Sequence, residues 1–238
     1  MQLEEFLRRS AATPEVKLQL ALLQRIAPLL LETPTCTGAV LVGSFAKGQA
    51  DRVSDLDLVL FCSENSGHDL LARIRSMIPA KEVFNEFHGS HGVGSPFVEL
   101  ILYNFTSIEI HTIAPETKFT VKRPFIEVVN RNGYLESRLS DKSAPTRDDL
   151  VPYRHGQDWL PWELFNCMKW LSRGETGAAK RYLVRLGQAI EAAENERLVS
   201  SLKCNTYKDA AIFSAGVSYP SRHLGLRFSL AAILSQSY

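Results

Sequence analysis

Two aspartates, Asp55 and Asp57, stand one residue apart in the apolar stretch DLDLVLF, and the pair Gly43-Ser44 precedes them by about a dozen residues. Burying an ionised carboxylate without a partner is very costly, so carboxylates in such a run demand a cation. On a strand, positions i and i+2 point to the same face, about 6.5–7 Å apart. Asp55 and Asp57 therefore project together while Leu56 and Leu58 face the core. Two carboxylates so placed repel each other unless a cation lies between them, and Mg²⁺ is commonly held by one or two carboxylates together with substrate phosphates. Gly43 and Ser44 fit the same chemistry. After a buried strand, a turn exposes backbone N–H groups to an anion, glycine lets a phosphate approach, and the Ser44 hydroxyl can donate to it. The stretch is not a Walker P-loop, because Lys47 precedes Gly48 and no Gly-Lys-Ser/Thr follows.

These side chains need elements to hold them. Gly38 to Val42 and Leu56 to Cys62 have the short apolar pattern of buried strands. Residues 3–31 are expected to be mostly helical, with a second helix starting at Thr13-Pro14, where proline suits the first helical position. Leu18, Leu22, Ile26 and Leu29 or Leu30 give that helix an apolar face, Pro28 is placed to kink its last turn, and Thr33-Pro34-Thr35 ends it. His68 to Ile78 is a further helix. HGSHGVGSP, His88 to Pro96, is a glycine-rich loop. FVELILY (Phe97 to Tyr103) and SIEIHTI (Ser107 to Ile113) form a β-hairpin. An extended stretch over Phe125 to Val129 ends in the turn Asn130-Arg131-Asn132-Gly133. Residues 141–156 are polar and hold two prolines, which places a domain boundary there. Trp159 to Arg173 and Thr176 to Leu202 are two amphipathic helices joined near Gly174. Residues 203–238 have no clear pattern beyond a helical Leu224 to Leu234.

Composition bounds the function. The chain has 238 residues, 45% hydrophobic and 22% charged, an ordinary globular composition. A chain this long buries roughly 70–75% of its unfolded surface. The formal net charge of +1 gives no global field for nucleic acid or an anionic membrane. The longest apolar run, Leu20 to Leu31, is interrupted by Gln24 and Arg25 and falls short of the roughly 20 residues of a membrane span. MQLEEFLRRS lacks the features of a signal peptide. Cys36, Cys62, Cys167 and Cys204 form no CxxC pair, which suits free thiols and a cytoplasmic setting.

GSFAKGQADRVSDLDL resembles the signature of the polymerase-β-like nucleotidyltransferases, a Gly-Ser followed by Ser-Asp-x-Asp-Leu, with Ala46, Gly48, Ala50 and Ser54 also matching small bacterial members. The resemblance covers roughly residues 38–140. The later DWLPWELFNCMKWLSRGETGAAKRYLVRLG looks more loosely like the helical C-terminal part of antibiotic nucleotidyltransferases. The resemblance implies an α+β fold: a nucleotidyltransferase domain over 1–145, with a small mixed β-sheet and helices, and a helical C-terminal domain over 146–238. It also implies a third carboxylate on a later strand. Glu99 and Glu109 are the candidates, and Glu109 is preferred because it sits where members carry an acidic residue between apolar ones. The implied reaction moves a nucleoside monophosphate, AMP from ATP first, onto a hydroxyl. Asp55, Asp57 and Glu109 would hold one or two Mg²⁺ ions. Gly43, Ser44 and Ser54 would bind the nucleotide, and Lys47 would reach the leaving pyrophosphate.

Each assignment has a plainer counterpart. Asp55 and Asp57 could be strand-end caps, Ser44 a turn residue, Glu109 a solvent-facing residue and Glu99 structural. His111 is expected to be structural and His88 to Pro96 a connector. Trp159, Trp162 and Trp170 suit a core. Lys169, Arg173, Lys180, Arg181 and Arg185 suit a solvated helix face. The leading function is transfer to a small molecule such as an aminoglycoside or lincosamide, hence antibiotic resistance. A polycationic acceptor would want an acidic cleft, for which Glu99, Glu109, Asp158 and Glu163 are candidates. The alternatives are adenylylation of a protein hydroxyl, as by antitoxin-like relatives, and a non-catalytic nucleotide-binding domain. Nucleic-acid polymerisation and membrane association are not expected.

Overall fold

The computed structural model describes residues 2–11, 13–63, 66–142 and 151–211, with 198–211 as backbone alone. The chain divides into two compact units, Met1–Ile190 and Glu191–Tyr238. Every residue of the candidate site belongs to the first; the described part of the second, 191–211, is helical.

Helices α1 (Leu3–Ser10), α2 (Lys17–Glu32), the single turn α3 (Gly43–Ala46), α4 (Ser66–Ser76), α5 (Leu160–Ser172) and α6 (Thr176–Ala211) accompany strands β1 (Cys36–Leu41), β2 (Asp55–Cys62), β3 (Val83–Ser90), β4 (Pro96–Leu102), β5 (Ser107–Ile113) and β6 (Ile126–Asn130). The strands form one mixed sheet in the order β3-β4-β5-β2-β1-β6. The fold is α+β, as expected. β2 and β5 run parallel, and all other neighbours are antiparallel. A parallel pair needs a long crossover, supplied here by α4 and the β3–β4 hairpin.

Side-chain alternation gives the sheet two unlike faces. Leu56, Leu58 and Leu60 of β2, Leu100 of β4, and Ile108 and Ile110 of β5 pack in one cluster with Leu23, Ile26 and Leu30 of α2 and Leu70 and Ile74 of α4. Each such side chain contributes roughly 1.5–3 kcal/mol on burial. The alternate residues point to the other face, where a smaller cluster joins Ile101 to Trp162 and Phe165 of α5.

The expected strands, the β4–β5 hairpin and the turn after β6 are present, with Asn132 and Gly133 at φ 52° and 67°. Helix α2 runs past Pro28 and ends before Thr33, as expected. Two readings need correction. The buried face of α2 runs through Gln19, Leu20, Leu22, Leu23, Ile26, Ala27 and Leu30, while Leu18 is exposed. Strand β3 replaces the start of the expected loop: His88 to Ser90 are strand, and the turn closes where His91 N–H donates to the Ser95 carbonyl at 2.9 Å. The Leu224 to Leu234 helix lies outside the described residues. Among the described residues, no helix is long and apolar enough to cross a membrane.

Candidate active site

The strand registers bring the acidic residues together. Asp57 of β2 lies opposite Glu109 of β5, and Glu109 lies opposite Glu99 of β4. Three carboxylates thus cross three adjacent strands in one row. Asp55, two residues before Asp57 on the same face, lies opposite Ser107. Carboxylate oxygens of Asp55, Asp57 and Glu109 all fall within 4.8 Å of one another. The structure therefore brings the three expected ligands together, with Glu99 one strand further along.

This crowding has an electrostatic consequence. Burial, then the neighbouring Glu109 and Asp55 charges, pushes the Asp57 carboxyl well above its usual range. Burial, then the Asp55 charge, pushes Glu109 up to about 8. Burial, then the Glu109 charge, pushes Glu99 up to about 9, against the indole N–H of Trp159, which donates to Glu99 Oε2. Like charges this close cannot all ionise without a counter-charge. The donor set is entirely carboxylate oxygen, which suits a hard divalent cation such as Mg²⁺ rather than a thiolate-seeking metal. The residues fit such an ion.

The Gly43 turn abuts the row. Val42 N–H donates to the Asp57 carbonyl at 2.9 Å, and Gly43 follows with φ +68°. A β-carbon at Gly43 would lie 1.9 Å from Asp57 Oδ2, so glycine is required on two counts. Ser44 is half-buried in the same turn and Lys47 is exposed at its end. Ser54 is buried differently. Its hydroxyl donates to Asp51 Oδ1 at 2.9 Å and accepts from Asp51 N–H at 2.9 Å and from the Arg173 guanidinium at 3.2 Å. That uses the donor and both acceptor sites of a hydroxyl, leaving none for a phosphate oxygen. Gln19 donates to the carbonyls of Arg52 and Ser54 at 3.0 and 3.1 Å and steadies the same turn.

Two site residues come from a helix where a solvated face was expected. The Lys169 ammonium of α5 contacts both Asp55 oxygens at 2.5 and 2.7 Å, and its side chain is 3% exposed. Ser107 Oγ donates to Asp55 Oδ1 as well. One helical turn on, Arg173 grips Asp51 with Nε at 2.6 Å and an Nη at 2.8 Å. Lys180 and Arg181 are exposed, as expected. The missed signal was spacing: Trp162, Phe165, Lys169 and Arg173 follow the helical period, so the two cations continue a buried stripe.

Other expectations resolve locally. Glu163 is buried and accepts from Tyr153 N–H at 2.7 Å and Tyr182 Oη–H at 2.9 Å, so it lines no acidic cleft. Asp158 is exposed and borders a hollow of about 510 Å³ with Glu86 and His88. Trp162 and Trp170 are buried, as a core role requires. His111 lies 3.5 Å from Glu109 and 2.8 Å from His91, and burial lowers both histidines to about 4.

No family model matches the chain, and no curated protein does. Solved structures similar to part of it include the GLD-2/RNP-8 complex, 21% identical over 47% of this chain and 38% of that one, with a TM-score of 0.29. A cytoplasmic RNA terminal U-transferase is 18% identical over 46% and 36%, with a TM-score of 0.32. Cid1, described for its RNA terminal uridylyl transferase activity, is 17% identical over 46% and 36%, also at 0.32. The chain spans little more than a third of the length of each of these structures.

Proposed function

We propose that the chain is a metal-dependent nucleotidyltransferase that moves a nucleoside monophosphate, AMP from ATP as first choice, onto a hydroxyl of a small molecule. One observation carries this reading: Asp55, Asp57 and Glu109 converge within 4.8 Å beside a glycine turn that a side chain would block. Asp55, Asp57 and Glu109 would hold one or two Mg²⁺ ions, which would supply positive charge to balance a bound triphosphate. The Gly43 backbone and Ser44 bind phosphate, and Lys47 faces the leaving pyrophosphate. Ser54 acts at one remove, by fixing the turn that leads into Asp55. Glu99 or Glu109 takes the proton of the acceptor hydroxyl.

The nucleotidyltransferase part is assigned to 1–145 and a helical part to 146–238. Free, buried Cys36, Cys62 and Cys167 support a reducing, cytoplasmic setting. The acceptor is placed among antibiotics of the aminoglycoside or lincosamide kind. The commitment of Glu163 to Tyr153 and Tyr182 removes one anchor for a polycation.

The test is turnover of labelled ATP, GTP, CTP and UTP with Mg²⁺ and a panel of both antibiotic classes, against the Asp55→Asn/Asp57→Asn double variant. Pyrophosphate release that needs Mg²⁺, an acceptor and both aspartates is expected. Triphosphate binding without transfer to any of these acceptors would redirect the search to protein hydroxyls. No metal-dependent triphosphate binding at all would leave a non-catalytic domain.

A further inference from the structure

Four carboxylates, those of Asp55, Asp57, Glu99 and Glu109, share one face of the sheet, and one ammonium is placed among them. Lys169 Nζ bridges both oxygens of Asp55 at 2.5 and 2.7 Å. It also lies 5.4 Å from the centre of the Trp162 ring and 5.1 Å from that of Phe165. Its charge reaches past Asp55, because it opposes the upward shift of Asp57, Glu99 and Glu109 alike. We propose that Lys169 is the resident counter-ion of this cluster, and that a divalent cation binds by displacing its ammonium from Asp55. The proposal rests on the metal-dependent reading above and adds what that reading lacks, a competitor for the metal built into the chain.

The physical argument has three parts. First, both Asp55 oxygens are occupied: Oδ1 takes Lys169 and the Ser107 hydroxyl, and Oδ2 takes Lys169. These three contacts use three of the carboxylate's about four acceptor sites, and a dication on the remaining Oδ2 site would stand beside the ammonium, whose repulsion favours its departure. Second, lysine suits exchange. Its ammonium is a point charge on a flexible four-carbon stem, whereas arginine holds a carboxylate through a rigid fork. Third, the retreating ammonium has somewhere to go, since the Trp162 and Phe165 rings already border it, and aromatic faces attract a cation. Lys169 thus supplies positive charge to the cluster when no metal is bound and sets a threshold for metal binding. If Asp55 is free in about one molecule in ten, apparent metal affinity falls about tenfold, because it scales with the competent fraction.

The test is a Mn²⁺ titration of the full chain followed by electron paramagnetic resonance, without nucleotide, on wild type, Lys169→Met, Lys169→Gln and Lys169→Arg, with thermal unfolding run in parallel. Lys169→Met and Lys169→Gln are expected to bind Mn²⁺ about tenfold more tightly than wild type or more, despite lower stability without metal. Lys169→Arg, which keeps the charge, is expected to bind no more tightly than wild type. Equal or weaker binding by folded Lys169→Met and Lys169→Gln would overturn the proposal and leave Lys169 as an anchor for α5. Absence of Mn²⁺ binding in wild type and all folded variants would overturn the metal-dependent reading as well. Should the neutral variants fail to fold, amine-directed labelling of wild type decides the matter. Faster modification of Lys169 with Mn²⁺ than without supports displacement, and an unchanged rate overturns it.

Discussion

Helix α5 touches the β2 region through two ion pairs that look alike in sequence and differ in kind. Asp51 and Asp55 are four residues apart, as are Lys169 and Arg173, and they pair in reverse order, Asp51 with Arg173 and Asp55 with Lys169. At Asp51 the Arg173 fork makes two hydrogen bonds, and Val53 N–H and the Ser54 hydroxyl complete the carboxylate's partners. That pair is partly open to solvent, with side chains 24% and 39% exposed. At Asp55 the partner is a lysine, 3% exposed, beside three further carboxylates. The first pair is satisfied and its geometry is fixed. The second holds one cation among too many anions. A complete network fastens, and an incomplete one is ready to accept another ligand.

Changes at the incomplete pair should have the largest effects. Asp57→Asn removes a shared ligand, and nucleotidyl transfer is expected to fall by about 10³-fold or more, the scale seen when transition-state charge loses its stabilisation. Single-turnover kinetics with labelled ATP checks this, and a loss under tenfold would remove Asp57 from the metal site. Gly43→Ala comes next. The added methyl meets Asp57 Oδ2, and the positive φ disfavours alanine. Stability should drop by about 1 kcal/mol or more, and kcat by about 100-fold through displacement of the carboxylate. Chemical denaturation and turnover measure the two effects separately.

The satisfied pair should respond more modestly and show a pH signature. Arg173→Met is expected to cost about 1 kcal/mol or less, as for other partly exposed ion pairs. The Arg173 hydrogen bond, followed by lesser contributions from Ser54, Arg173 charge and Val53 N–H, lowers the Asp51 carboxyl from 3.8 to about 2. A carboxyl with a depressed folded-state pKa stabilises above its unfolded value and loses that contribution as pH falls through the folded one. The gap in stability between wild type and Arg173→Met should therefore be full above pH 4 and shrink toward pH 2. A gap constant across that range would show that the pair contributes nothing. The smallest effect is expected at Glu163→Gln, where one oxygen still accepts from Tyr153 and Tyr182. The KM for any acceptor should be unchanged, and a rise of tenfold would return Glu163 to the acceptor site.

Much of the frame could be read from patterns with a short period. β2 and β5 were legible because short apolar runs mark them as strands, and the alternation of DLDL and SIEI fixes which of their acidic residues share a face. The β4–β5 hairpin was legible from the few residues between two strand-like runs. Strand β3 was not, because VFNEFHGS lies at the sheet edge with Phe84 exposed and polar residues on both faces. An edge strand has one neighbour and no demand for a continuous apolar side, so its alternation is blurred. Lys169 and Arg173 failed for another reason. Charge on a helix suggests solvent unless its partner is known, and their partners lie 114 and 122 residues away in the chain.

The sequence by itself determined that Asp55 and Asp57 share a face, that Gly43 and Ser44 turn just before them, and that residues of the Ser107–Ile113 strand can add an acid. These follow from local stereochemistry, which a few neighbouring residues fix. Only the tertiary structure decided that Glu109 stands opposite Asp57 with Glu99 beyond it, because strand register between distant segments depends on burying both apolar faces at once. Only the tertiary structure gave Asp55 its ammonium and Ser54 its occupied hydroxyl. A charge finds its partner through the packing of whole elements, and for Lys169 that packing is the buried stripe of α5 against the sheet.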